Sequence, residues 1–235
     1  MSARGIAATV VALALVVGGA VVVDRVAAGT ARDLATQQLR ANVPDLVGTP
    51  RVEVLGFPFL TQLAGGRLTE VHAHLDGAGL GGVSVSDVDI DAHGVSTQSP
   101  YVVQHALVRA TLSPATVRAL VAARTGLDLD LRTDGDTLIG TAGVLGLPVS
   151  ATLRPQVTDG QIHLTLVALT LAGVAVPASS LPAGLATVLG ALVIPVDGLP
   201  AGVTVTDTAV VAGGVRATLT GTGVALTDLV GRSAG

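Results

Sequence analysis

His72, His74 and Asp76 stand at alternate positions of the run TEVHAHLD. An extended strand puts all three on one face, where two imidazoles two residues apart can chelate a metal ion. Val71, Ala73 and Leu75 take the opposite face, so the same spacing also describes a half-buried strand with its polar side in water. No further cluster nearby completes a coordination shell, and no metal site is expected. Asp87, Asp89 and Asp91 make a second same-face row, and Asp128, Asp130, Asp134 and Asp136 a further acidic group. Neither has the loop spacing and closing glutamate of a calcium site, which leaves solvated strand faces. Nucleophilic chemistry fares no better. There is no Gly-x-Ser-x-Gly elbow, Ser84 and Ser86 lie in an alternating strand, and His93, His105 and His163 are isolated. Gly79, Gly81 and Gly82 open no GxGxxG or phosphate-cradling Lys motif. No catalytic constellation and no cofactor site emerge, so the chain reads as a non-enzyme.

Composition narrows the remaining classes. The chain has 235 residues, 49% hydrophobic and 13% charged, with no cysteine, and a mean hydropathy of +0.69. It is too apolar for a disordered chain or an ordinary cytosolic enzyme, and it excludes disulfides and thiolate chemistry. All 13 basic residues are arginine, yet the net charge is −4, so nucleic acid is not an expected partner. The three aromatics, Phe57, Phe59 and Tyr101, supply neither the girdles of an outer-membrane barrel nor a base-stacking platform.

Ile6–Val23 carries no charge over 18 residues, with Arg4 before it and Asp24-Arg25 after it. As a helix it covers about 27 Å, enough for a hydrocarbon core, and Arg4 with the amino terminus favours the cytoplasmic side. The run reads as an uncleaved membrane anchor. The alternative is a signal peptide with Val26-Ala27-Ala28 as its cleavage site. Either way residues 24–235 are exported, and the expected division is an anchor or signal segment at 1–23 and a single α+β domain at 24–235. Without cysteine a lipid-modified N-terminus is ruled out.

Residues 24–43 have an apolar stripe at helical spacing, with Pro44 as terminator, and predict a helix that can prolong the anchor. Alternating patterns predict strands over 51–55, 68–75, 83–91, 101–112, 127–133, 137–144, 147–157, 161–174, 203–211 and 215–226. Asp134-Gly135, Asp159-Gly160 and Gly213-Gly214 mark antiparallel hairpins. The apolar phase slips by one between Val83/Val85 and Val88/Ile90, the mark of a β-bulge. Ser113-Pro114 opens a helix to about Arg124, with Gly126 just beyond its end. A second helix, uncharged and apolar on nearly every side, is expected over 181–192.

Strand 161–174 reads as apolar on both faces, with Ile162, Leu164 and Leu166 on one and Val167, Leu169 and Leu171 on the other. Doubly apolar strands normally lie beneath helices, which are too few here. The surplus apolar surface fits a groove for an acyl chain, or equally a filled sandwich-like core. Gly56-Phe57-Pro58-Phe59-Leu60-Thr61-Gln62-Leu63 holds two of the three aromatics, as a plug in the core or an apolar tip on a membrane.

The run VEVLGFPFLTQLAGGRLTEVHAHLDG (52–77) resembles the LmeA-type family of actinobacterial phospholipid-binding envelope proteins, and PVDGLPAGVTVTDTAVVAGGVRATLTGTGVAL (195–226) is similar to that family's closing hairpin. The resemblance implies an α+β fold akin to tubular lipid-binding proteins, a curved antiparallel sheet wrapped on a long helix with an apolar groove for acyl chains. It implies an anionic phospholipid such as phosphatidylinositol as ligand, a place at the outer face of the cytoplasmic membrane, and a role in maintaining the envelope or its lipoglycans. The matched residues Gly56, Phe57, Pro58, Phe59, Leu60 and Arg67 become candidate groove or mouth positions. Arg67 is the first candidate to meet a lipid phosphate, with Arg109 and Arg154 next. The rival reading is an envelope adaptor with a filled core and a protein partner.

Overall fold

A computed structural model describes residues 3–225 apart from 44, 81–82, 127–128, 145–146, 172, 178–192, 195 and 197–198, with side chains of the first helix described from Val21 onward. The expected helix at 181–192 lies outside the described residues, as do the side chains of most of the Ile6–Val23 run. Among the described residues no helix is long and apolar enough to cross a membrane. The backbone from Ala3 to Asn42 is one continuous helix, α1, ending two residues short of Pro44.

Among the described residues twelve strands follow, all paired antiparallel, because alternating patterns and two-residue turns bring successive strands back beside one another. The first sheet contains β1 (Arg51–Leu55), β2 (Arg67–Leu80), β3 (Val83–Ser96), β4 (Val102–Leu112), β11 (Val203–Val211) and β12 (Gly214–Ala225), in the order β1-β2-β3-β4-β12-β11. The second contains β5 (Asp130–Asp134), β6 (Thr137–Val144), β7 (Leu147–Thr158), β8 (Gln161–Leu171) and β10 (Val193–Ile194), with β9 (Val174–Pro177) also on β8. Between β1 and β2 lies the short helix α2 (Phe59–Ala64), and between β4 and β5 the helix α3 (Pro114–Thr125). The expected caps of α3 are present. Ser113 Oγ accepts from the Thr116 N–H, and Gly126 takes the left-handed conformation (φ 70°) with its N–H on the Ala122 carbonyl.

The two sheets and α3 share the main core. Leu138, Leu153, Ile162 and Leu164 of the second sheet meet Val117 and Val121 of α3, with Val205, Val215 and Ala217 of the first. A second cluster gathers Leu75, Ala78, Val88 and Ala110. The expected β3 bulge is there. Asp87 has φ +50° and the register against β4 jumps between Ser86 and Asp89. Val85 and Val88, on either side of the slip, therefore reach the same cluster.

Strand β8 corrects the two-faced reading. The register between β7 and β8 jumps from Thr152↔Ala168 to Leu153↔Leu166, leaving Val167 unpaired. This extra residue resets the alternation, so that Ile162, Leu164 and Leu169 are all buried in one core while Val167 is exposed. The apparent second apolar face is the same face after a bulge.

The registers also give the first sheet two ends. Arg67↔Ser96, Val102↔Ala225 and Val203↔Gly221 lie at one end, here called proximal. Leu80↔Val83, Leu112↔Val215 and Val211↔Gly214 lie at the distal end. Helix α1 runs along this sheet from proximal to distal: Ala27, Ala28 and Ala31 pack on Val54, Phe59, Leu68 and Val71, and beyond its end Val43 and Leu46 reach Leu75 and Ala78. The described residues do not form a sheet wrapped on a long helix, as expected from the resemblance. The apolar stripe of α1 is narrow and made of alanines, so it packs on one side only, at the β1–β2 edge with α2. The β4–β12–β11 side of the sheet packs instead on α3 and the second sheet.

Candidate functional site

The segment with the expected site residues begins where β1 ends at the proximal end. The Phe57–Pro58 peptide is cis, and α2 turns the chain back into β2. The two aromatics of this segment part company, one into the core and one toward solvent. Phe59 is 4% exposed and fills the contact between α1 and β1, whereas Phe57 is 56% exposed, with the Arg25 guanidinium 5.6 Å from its ring centroid. Leu60 and Leu63, three apart on α2, are both exposed. Arg67 opens β2 with an exposed side chain and pairs with no carboxylate among the described residues. Arg109 and Arg154 are engaged, the first 3.5 Å from Asp91 and the second 3.1 Å from Asp136.

Asp24 holds the rim segment in place, a role that pattern reading missed. It follows directly on the apolar run, yet it is only 4% exposed, and its Oδ1 accepts the Leu60 N–H at 2.7 Å. A carboxylate on the first free N–H groups of a helix is a charge-assisted cap. Here the cap comes from 36 residues upstream and ties α2 to α1. The sequence signal was a charge at the border of an apolar run, which by itself says only that the run ends.

On the outward face of the first sheet, the expected polar row of β2 meets the aspartate row of β3. His72 Nδ1 is 2.6 Å from Asp91 Oδ1, and His74 Nδ1 is 2.8 Å from Asp89 Oδ1. The strand register makes these pairs, since His72 lies opposite Asp91 and His74 opposite Asp89. Glu53 and Arg51 of β1 stand across from the same two histidines, and Arg109 of β4 across from Asp89. His74, Asp87 and Asp89 bring three ligand atoms within 4.8 Å of one another. That cluster is closed by its own charges, because the Arg216 guanidinium binds Asp87 and the His74 imidazole binds Asp89. A cation would have to displace both. The face is therefore a ladder of polar and charged pairs that the strand register brings together, and the β3 bulge adds Asp87 to it.

The inward face of the same strands is apolar. Two rows run in register across β2, β3, β4 and β12: Val71–Ala92–Ala106–Gly221 and Ala73–Ile90–Val108–Leu219. Ile90, Ala106, Val108 and Leu219 are only half-buried. Small side chains in the first row lower the floor beside the taller second row, a surface against which a methylene chain can lie. An apolar floor thus adjoins a rim that holds exposed apolar side chains and an arginine paired with no carboxylate among the described residues.

The model of the LmeA-like phospholipid-binding family matches residues 22–220. This span includes α2, the rim, β2, β3 and β4, and β12 as far as Thr220. Neither a curated protein nor a solved structure matches the chain.

Proposed function

The chain belongs to the LmeA-like phospholipid-binding family, and on that premise we propose that it is a non-catalytic phospholipid-binding protein of the cell envelope. It takes acyl chains against the inward face of the first sheet and an anionic headgroup at the proximal rim. Residues 1–23 anchor it in the cytoplasmic membrane and 24–235 act outside as one lipid-binding domain, passing lipid to the machinery that maintains the envelope. The observation that carries this reading is the family match over residues 22–220. The inward rows support it, since each buried methylene contributes about 0.8 kcal/mol, so a few beyond the ordering cost suffice for useful affinity. Arg67 supports it as a guanidinium free to meet a phosphate bidentately, with Phe57 and Leu60 beside it as apolar rim. Phe59 contributes from below, by holding α2 and the rim on α1.

The test is native mass spectrometry of the full chain in mild detergent after incubation with phosphatidylinositol vesicles, followed by lipid extraction. A stoichiometric phospholipid adduct is expected, with Arg67→Ala losing anionic lipid in preference to neutral lipid. A clean apo mass after incubation overturns the proposal. The inward face is then ordinary core, and the adaptor with a protein partner takes its place.

A further inference from the structure

We propose that the proximal end of the first sheet is a bilayer-docking surface, formed by Val22, Val23 and Val26 of α1 together with Phe57, Leu60 and Leu63 around α2. All six are large apolar side chains exposed to solvent in the folded chain. Val22 and Val26 are four apart and Val23 and Val26 three apart, so they form one stripe on α1. The α2 residues join that stripe through two named contacts: Arg25 lies over the Phe57 ring, and Asp24 holds the Leu60 N–H. Asp24, the one acidic residue in this stretch of α1, is turned inward and buried against α2, so no carboxylate of this stretch faces an anionic surface.

The occupant is a lipid bilayer, and continuity of the backbone is the reason. Helix α1 is unbroken from Ala3 to Asn42, so the uncharged Ile6–Val23 run and the stripe share one axis. At 1.5 Å per residue, Val26 stands only about 5 Å beyond Val23, which is within the headgroup layer of a membrane spanned by that run. From there α1 runs toward the distal end, which carries the rest of the sheet away from the bilayer. Tyr101, also exposed, follows the β3–β4 turn at the same proximal end. Aromatic side chains and arginines at this height match the composition of a membrane interface, where amphipathic rings and guanidinium groups meet headgroups. The docked pose sets the rim with Arg67 against the headgroups, so that a lipid reaches the apolar floor without crossing bulk water.

This inference rests on the anchor reading of residues 1–23, and the experiment separates the two. The chain contains no tryptophan, so Phe57→Trp installs a single indole at the docking surface. Ala212→Trp places one on the exposed β11–β12 turn at the distal end, roughly 30 Å away along a strand of this length. Each full-length variant is reconstituted into phosphatidylcholine–phosphatidylglycerol vesicles with and without brominated acyl chains, and flotation after alkaline wash is scored in parallel. The expected result is blue-shifted, bromine-quenched emission for Phe57→Trp, neither effect for Ala212→Trp, and loss of quenching when Leu63→Asp is added to Phe57→Trp. Leu60→Trp provides a second reporter at the same surface and is expected to behave like Phe57→Trp. Vesicle-bound chain with no quenching at either position 57 or 60 overturns the docking and leaves the anchor standing. Equal quenching at 57 and 212 also overturns it, because the domain then lies flat. Failure to float overturns the anchor, and the docking with it.

Discussion

Substituting Phe59 and Phe57 separately distinguishes the two roles assigned to one short segment. Phe59 is almost fully buried among Ala27, Ala28 and Ala31 of α1, Val54 of β1, and Leu68 and Val71 of β2. Phe59→Ala removes a ring that no neighbouring side chain can replace, since the α1 side of the contact is built from alanines. Loss of transfer energy plus an uncollapsed cavity costs about 3–5 kcal/mol for a buried phenylalanine. For a chain of this size each kcal/mol moves Tm by about 2–4 °C, so a fall of about 10 °C is expected. Phe57 is more than half exposed, and Phe57→Ala is expected to change stability by less than about 0.5 kcal/mol. The assay is thermal denaturation of both full-length variants in the same micelle, followed by circular dichroism. Amide hydrogen exchange should show α2 and β1 losing protection before the second sheet. Equal melting of Phe59→Ala and wild type would refute the packing account, as would a larger loss from Phe57→Ala.

Four further outcomes follow from the same geometry. Leu153→Ala, at a position with no solvent exposure between the sheets, should cost about 3–4 kcal/mol in denaturant unfolding. Ser113→Ala removes the oxygen that accepts the Thr116 N–H and should cost about 1 kcal/mol, with the loss of protection confined to the first turn of α3. Gly214→Ala would place a Cβ 1.9 Å from the Leu112 carbonyl oxygen at φ +139°; the β11–β12 turn must then distort, and the loss in a thermal melt should exceed about 2 kcal/mol. A double-mutant cycle of His74→Ala and Asp89→Ala, whose side chains keep about a quarter of their exposure, should give a coupling below about 1 kcal/mol, because water screens the pair.

The charge ladder and the apolar floor show where pattern reading stops. Alternation along one strand is enough to say that His72 and His74 share a face, but their partners Asp91 and Asp89 are chosen by the β2–β3 register. His74 keeps Asp76 of its own strand at 3.5 Å, and the bulge brings Asp87 of β3 beside His74 and Asp89 as well. The same kind of bulge was legible in β3 and not in β8. In β3 the slip separates apolar from polar residues, so the change of phase is visible. In β8 both phases are leucine and valine, so a slip looks like a strand apolar on two faces.

Local chemistry therefore settled much of the architecture before any tertiary contact was known. Turn dipeptides, the Ser113–Pro114 cap, the strand alternation and the uncharged run at the start of α1 each act through neighbours a few residues away, and the backbone obeys them wherever the chain packs. The 52–77 run, with the 195–226 block in support, was enough to indicate the family. Tertiary structure alone decided that Phe59 is buried and Phe57 exposed, that Asp24 caps a helix 36 residues downstream, and that Arg109 and Arg154 find carboxylates while Arg67 meets none among the described residues. It also decided that α1 lies at a sheet edge, because the rest of the apolar face packs on α3 and the second sheet. Each of these outcomes depends on which distant side chain arrives, and burial and ion pairing act between groups that are close in space whatever their separation in sequence.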